Sequence, residues 1–199
     1  PATRPLAPSR LGEEPAVLSP AGADDVRFRR GRIVHRLLQL LPELPVARRA
    51  AAARRFLADP AHGLDATARE ALAAEVLAVL ADAAFAPIFA PGSRAEVPIA
   101  GLVGQVAVSG QIDRLAIGSE EILAVDFKTN RAPPAAPETA APAYLAQMAA
   151  YRALLRRAFP GRRVRTALVW TDGPRLMALP DALLDRHLPA RLDSDPSTT

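Results

Sequence analysis

The chain has 199 residues, half of them hydrophobic, with 25 Lys and Arg against 21 Asp and Glu and a formal net charge of +4. That is enough apolar material for one domain with its own buried core, and a sequence pI near 10.5 suits polyanionic partners. The lack of cysteine excludes disulfides, thiol catalysis, Cys-ligated zinc and Cys-ligated iron–sulfur clusters. The most apolar run, Ala71 to Ala90, is broken by Glu75, Asp82 and Pro87, so it does not read as a membrane span, and a soluble cytoplasmic domain is expected.

Residues 1–25 are rich in Pro, Ala and Gly without periodicity and read as an extended linker from an upstream region. One folded unit is expected over 26–192, its helical part over about 26–90 and its core over about 91–180, followed by a frayed tail at 193–199. Ile33, Val34, Leu37, Leu38 and Leu41 recur at helical spacing up to Pro42, with His35 beside the stripe. A second helix is expected over Val46 to Ala58, a turn at His62-Gly63, and a third helix from Ala66 to Ala84. Ala95 to Ile99 alternates with a period of two and predicts a strand over Arg94 to Leu102, with Pro98 placing it near an edge. Two more strands follow, Gln105 to Ile117 and Ile122 to Lys128, joined by Gly118-Ser119-Glu120-Glu121. Arg131 to Ala143 reads as a mobile Pro/Ala linker. After it come a helix over Ala143 to Ala158, a strand over Val164 to Thr171, a turn at Asp172-Gly173-Pro174, a short strand over Arg175 to Leu179 and a helix over Asp181 to Leu192.

Two strands carry the chemistry. The first contains Gly110-Gln-Ile-Asp113-Arg114, and the second ends Val125-Asp126-Phe127-Lys128-Thr129-Asn130. Lys128 is the only lysine; every other cation of this type is arginine. A compact, titratable point charge is required where the planar guanidinium fork will not serve. If the turn spans four residues, Ile117 faces Ile122 and Asp113 faces Asp126, which puts two carboxylates side by side with Lys128 on the face of Asp126. Opposed like charges destabilise a sheet unless a cation sits between them. Carboxylate oxygens are preferred ligands of Mg²⁺ and Mn²⁺, ions that support phosphodiester hydrolysis. Asp113 and Asp126 are therefore the expected ligands, joined by the backbone carbonyl of Phe127, with Lys128 orienting or deprotonating water and offsetting phosphate charge. For His35 two readings stand, a core-edge histidine and a further ligand. Tyr144, Gln147 and Tyr151 share one helix face; Gln147 is polar where packing alone favours an apolar residue. Arg94, Arg114, Asn130 and Arg131 flank the strands as candidate phosphate contacts.

The order helix, three strands, helix, strand, together with Gly-x-Ile-Asp-Arg-Leu, Asp-Phe-Lys-Thr and Tyr-x-x-Gln-x-x-x-Tyr, resembles the RecB-type nuclease domains of the PD-(D/E)XK superfamily. Arg30-Gly-Arg-Ile-Val-His35 is similar to that group's first motif, in which the histidine is a metal ligand. The likeness implies an α/β fold, a restriction-endonuclease-like core with a mixed central sheet in αβββαβ order, preceded by a helical region. It makes Asp113, Asp126 and Lys128 catalytic, gives His35 to the metal, and places Gln147, Tyr151, Tyr144, Arg114, Thr129 and Asn130 as supporting or DNA-binding residues. Glu96 matches an acidic position of the first strand found in some relatives.

Within this group the resemblance is to the C-terminal nuclease domains of AddA-type subunits of bacterial AddAB helicase–nucleases. It implies cleavage of unwound single-stranded DNA in double-strand break repair by recombination, an AddB-like partner subunit, Mg²⁺ or Mn²⁺ as cofactor, a nucleoid-associated location, and ATP used only by an upstream helicase region. The iron–sulfur cluster of AddB-type relatives is not expected here. The competing reading is a catalytically inactive nuclease-like module that guides DNA or braces a partner.

Overall fold

Apolar spacing and a few side-chain caps set the local structure. The computed structural model describes residues 23–104, 106–128, 133–171 and 175–188. Its elements are α1 (Ala23–Leu40), α2 (Val46–Leu57), α3 (Ala66–Ala81), β1 (Arg94–Val103), β2 (Val106–Ile117), β3 (Glu121–Lys128), α4 (Pro142–Ala158), β4 (Arg163–Trp170), β5 (Arg175–Leu179) and α5 (Asp181–His187). The linker expected over 1–25 (up to residue 22), Gln105, Thr129, Asn130, Arg131, the Asp172-Gly173-Pro174 turn and the C-terminal stretch from 189 lie outside the described residues.

The expected stripe is buried throughout: Ile33, Val34, Leu37 and Leu38 of α1, and Leu41 in the 3-10 turn that follows it. Asp65 caps α3 by accepting the Ala68 N–H at 2.7 Å. The third helix stops at Ala81 and not at Ala84, because the Asp82 carboxylate accepts the Ala84 N–H at 2.8 Å and starts a separate 3-10 segment over Ala83–Phe89. The stretch expected as a mobile linker is tied down where it is described: both terminal nitrogens of Arg175 donate to the carbonyls of Pro134 and Ala135 at 2.9 and 2.8 Å, and Ala140 is buried. The final helix closes at His187. Among the described residues no single helix is long and apolar enough to cross a membrane.

The five strands form one mixed sheet in the order β1-β2-β3-β4-β5, antiparallel except for the parallel pair β3–β4. The crossover between that pair is α4, as a parallel connection requires. β1 lies at the edge, where Pro98 can forgo a ladder bond. On one side of the sheet, Ile122, Ala124 and Leu168 pack with Leu145, Met148 and Leu155 of α4 and Leu183 and Leu184 of α5. On the other, Val125, Phe127, Ala167 and Val169 pack with the apolar faces of α1, α2 and α3. The sheet is thus enclosed by helices on both faces, and the end of β3 lies between the two layers.

The register from the turn is the one the four-residue turn predicts, Ile117 opposite Ile122. It holds only as far as Arg114 opposite Val125. Alternation also breaks there: Ile112 and Leu115 belong to the cluster on the α4 side, whereas Asp113 reaches α1 and Arg114 reaches Glu43 just beyond it. The β1–β2 ladder likewise omits the Glu96–Asp113 pair while keeping register on either side. Glu96 has φ of 52°, the only positive value among described non-glycine residues.

α5 is fastened to α4 by Arg152, which is 3% exposed. Its guanidinium donates to the Asp181 carbonyl at 3.0 Å, to Asp181 Oδ1 at 2.9 Å and to Asp185. Slight burial works against the Asp181 charge, yet the hydrogen bond from Arg152 and the charges of Arg156 and Arg152 hold its carboxyl below the ordinary value. Arg152→Met should lower stability by about 2 kcal/mol, the scale of lost hydrogen bonds to charged groups, measured as a reduced urea midpoint. Because the folded-state value is depressed, the Asp181 contribution is present above the unfolded value and lost as pH falls through the folded one. Asp181→Asn should therefore flatten the acid limb of the stability curve below pH about 4.

Candidate active site

The last two residues of the α4-facing row of β3 are polar in a position otherwise filled by Ile122 and Ala124. Asp126 is 4% exposed and Lys128 9%, and Lys128 Nζ stands 2.6 Å from Asp126 Oδ2. α4 supplies the other walls. Lys128 Nζ lies 3.8 Å from the centroid of the Tyr144 ring, a cation–π contact, and donates to Gln147 Oε1 at 3.4 Å. Gln147 Nε2 donates to the Tyr151 hydroxyl at 3.3 Å, which donates to the Gln111 carbonyl at 2.8 Å. Gln147 is thus buried because it links the ammonium to the backbone of β2.

Asp113 faces the other layer. Its Oδ2 accepts the Phe127 N–H at 2.7 Å, and its Oδ1 lies 3.2 Å from His35 Nε2. The expected side-by-side carboxylates on one face are therefore corrected: Asp113 turns to α1 and Asp126 to α4, with the Phe127 amide between them. The broken alternation of β2 separates the two like charges. Successive residues of a strand direct their backbone groups to alternate sides. Lys128 O accepts from Thr171 N on the β4 side, so the Phe127 carbonyl is directed to the β2 side, where pairing has ended.

Glu96 completes this side. Its Oε1 is 3.5 Å from His35 Nε2, and its Oε2 accepts from Gln111 Nε2. One ligand atom each from His35, Glu96 and Asp113 lies within 4.8 Å of the others. His35 is half-buried, packing edge-on against Phe127 at 5.9 Å with Nε2 facing the Glu96 and Asp113 carboxylates.

The charges are finely balanced. The Asp113 contact raises His35 against the opposing effect of burial, with further help from the charges of Asp113, Glu96 and Asp126. Burial raises Asp126 to about 6, outweighing the attraction of Lys128. Burial pulls Lys128 down, but Asp126 more than compensates and keeps it protonated. Glu96 is raised chiefly by burial, and Tyr151 likewise. Lys128 Nζ, 2.6 Å from Asp126 Oδ2, is the charged partner of that buried oxygen, yet burial still holds Asp126 above the ordinary carboxylate value. Two or three carboxylate oxygens with one imidazole fit a small divalent cation; His35, Glu96 and Asp113 would hold it, with Asp126 and the Phe127 carbonyl adjoining.

Arg114 does not sit as a phosphate contact. It is 2% exposed, donating to Ser93 Oγ at 3.1 and 2.7 Å and to Glu43 at 2.9 Å, and it covers Phe89, whose ring stacks on Phe127. Thr129 and Asn130 fall outside the described residues. Sequence reasoning overlooked Gln111, which binds both Glu96 and Tyr151. An exposed polar residue in a strand carries no distinguishing signal, and only its place inside the Gly110–Asp113 motif hinted at it.

A family model described as the PD-(D/E)XK nuclease superfamily matches residues 10–183. This chain belongs to the PD-(D/E)XK nuclease superfamily. Membership implies a hydrolase acting on nucleic acid, and nucleases of this superfamily use a divalent metal, consistent with the His35, Glu96 and Asp113 cluster. Among 14 matching chains of solved structures is one titled "Crystal structure of SSO0001", similar at 12% identity with a TM-score of 0.34 over 82% of this chain and 82% of that one. No curated protein matches this chain.

Asp113→Asn keeps an oxygen for the Phe127 N–H but removes the charge beside His35, so the His35 titration midpoint should fall, as read by NMR. A second expectation concerns metal-free protein. Asp126 and His35 both have raised folded-state values, so the folded form holds protons that the unfolded chain has released. For Asp126 stability falls with rising pH between about 4 and 6, and for His35 it falls as pH rises above about 6.5. Thermal midpoints measured in EDTA should therefore decline from pH 5 to pH 8, and restoring a divalent ion at pH 8 should reverse the decline.

Proposed function

We propose that the chain is a Mg²⁺- or Mn²⁺-dependent deoxyribonuclease domain that hydrolyses phosphodiester bonds of unwound single-stranded DNA. We further place it in an AddAB-type helicase–nuclease acting in double-strand break repair by recombination, beside an AddB-like subunit, with ATP used by an upstream helicase region. The observation that carries the nuclease reading is the convergence at the end of β3. His35, Glu96 and Asp113 gather on one side, and Asp126 and Lys128 form a buried pair on the other. The AddAB placement rests on the ordered motifs Gly-x-Ile-Asp-Arg-Leu, Asp-Phe-Lys-Thr and Tyr-x-x-Gln-x-x-x-Tyr.

A divalent ion bound here supplies a nucleophilic water and a sink for charge developing on the phosphate. The protein's own groups do the rest. Asp113 holds the Phe127 amide and so aims that residue's carbonyl at the gap between β2 and β3. Lys128, kept protonated by Asp126, acts as a fixed positive donor that offsets phosphate charge; the state that would let it serve as a base is disfavoured. Gln147, Tyr151 and Tyr144 keep its ammonium in place, a preorganisation that avoids reorientation during reaction.

Cleavage of a labelled single-stranded oligonucleotide should require Mg²⁺ or Mn²⁺ and stop in EDTA. Asp113→Asn, Asp126→Asn and Lys128→Met should each lower the rate by roughly 10²–10³-fold, the range for loss of one preorganised charged group. Full activity in Lys128→Met would sink the assignment. A parent protein that binds DNA but cuts nothing with either ion would establish the inactive nuclease-like module instead.

A further inference from the structure

We propose that the face of α1 bearing Arg29, Arg32 and Arg36, with Phe56 and His62 beside it, seats a single DNA strand on its way to the candidate active site. This rests on the nuclease reading and extends it to a defined path. The three arginines occupy positions i, i+3 and i+7 and so share one side of the helix. All three are exposed, and none is ion-paired among the described residues. Arg36 donates to Gln39 within the helix, whereas several other arginines are paired with carboxylates: Arg30 with Glu75, Arg54 with Glu70, Arg152 and Arg156 with Asp181, Arg165 with Glu121. Stacking like charges on one helix face destabilises the helix, and a polyanion is the chemistry that offsets it.

The arginines line a cavity of about 480 Å³ that also includes Phe56 and His62. Those two rings lie 4.7 Å apart with an interplanar angle of 39°, and His62 Nε2 is buried without a hydrogen-bond partner among the described residues. Arginine forks alternating with aromatic faces are what a single strand uses, phosphates on the cations and bases on the rings. The backbone makes room for this arrangement at Gly63, whose φ is +63°; a Cβ there would stand 2.9 Å from Arg29 Nη1. From Arg29 to Arg36 the helix rises roughly 10 Å, the length over which one strand of a duplex carries about three phosphates. The row ends at the chemistry. Arg36 adjoins His35, which is 3.2 Å from Asp113, and its charge acts on Glu96.

The test is fluorescence anisotropy with labelled dT20 in EDTA, so that no cleavage intervenes. The full 199-residue chain is compared with the triple variant Arg29→Gln/Arg32→Gln/Arg36→Gln and with a charge-matched control, Arg157→Gln/Arg163→Gln/Arg165→Gln. The control changes the far end of α4 and the start of β4. The triple variant should bind at least about tenfold more weakly, and the slope of log K against log salt should fall by about 2, near 0.7 for each of three phosphates. His62→Ala should weaken dT20 roughly tenfold by removing a stacking face and leave binding of a blunt duplex unchanged.

Equal affinity and slope in the triple variant, an equal loss in the control, or no binding by the parent each overturns the proposal. Matching losses for dT20 and duplex in His62→Ala overturn its single-strand component. Far-ultraviolet circular dichroism checks that each variant is folded. Cleavage with Mn²⁺ is scored separately: binding through this face without cleavage overturns the nuclease reading alone, whereas cleavage with unaltered binding in the triple variant overturns the strand seat alone.

Discussion

The hydrogen bond from the Phe127 amide to the Asp113 carboxylate is the contact on which the site's geometry depends. It takes the place of a ladder bond, so β2 and β3 stop pairing one residue short of the two aspartates. Their separation opens the end of the sheet without leaving the Phe127 N–H unsatisfied, which a buried amide cannot tolerate cheaply. Asp113 thereby does two things at once. One oxygen holds the strand end in position, and the other holds His35 from α1.

The site is divided between the two helical layers. α1 brings His35 to Asp113 and Glu96, while α4 encloses Lys128 with Tyr144 and Gln147. Neither layer alone completes it, and the strand between them fixes their spacing. The buried Asp126–Lys128 pair is costly to desolvate, and burial outweighs the pull of Lys128 on the Asp126 carboxyl. Such an arrangement is weak as a device for stability and well suited to a site that gains a further charge on binding its ligand. The positive φ of Glu96 belongs to the same pattern, backbone strain held beside chemistry by the structure around it.

Much of the fold was legible because the elements are strongly periodic. The α1 stripe, the four-residue turn that sets Ile117 against Ile122, and the shared face of Tyr144, Gln147 and Tyr151 all follow from spacing, and the structure has them. Lys128 stands out in the sequence as its only lysine, and the structure buries it against Asp126. The failures have specific causes. Counting back by twos from Ile117 misplaced Asp113 relative to Asp126, since periodicity cannot register a break in alternation. Arg114 seemed a phosphate contact because it follows Asp113, yet Ser93 and Glu43, distant in sequence, draw it inward.

By itself, the sequence determined the element order, the buried faces and the residue types capable of the chemistry, because these depend on local periodicity and side-chain character. Only the tertiary structure decided which of those residues meet. Glu96 joins His35 and Asp113 through a kinked edge strand, Gln111 holds both Glu96 and Tyr151, and the arginines of α1 line up with Phe56 and His62 from the next turns of chain. Long-range packing sets these juxtapositions. Each is a compromise among strand pairing, desolvation and charge, and no local stretch of sequence contains all of those terms.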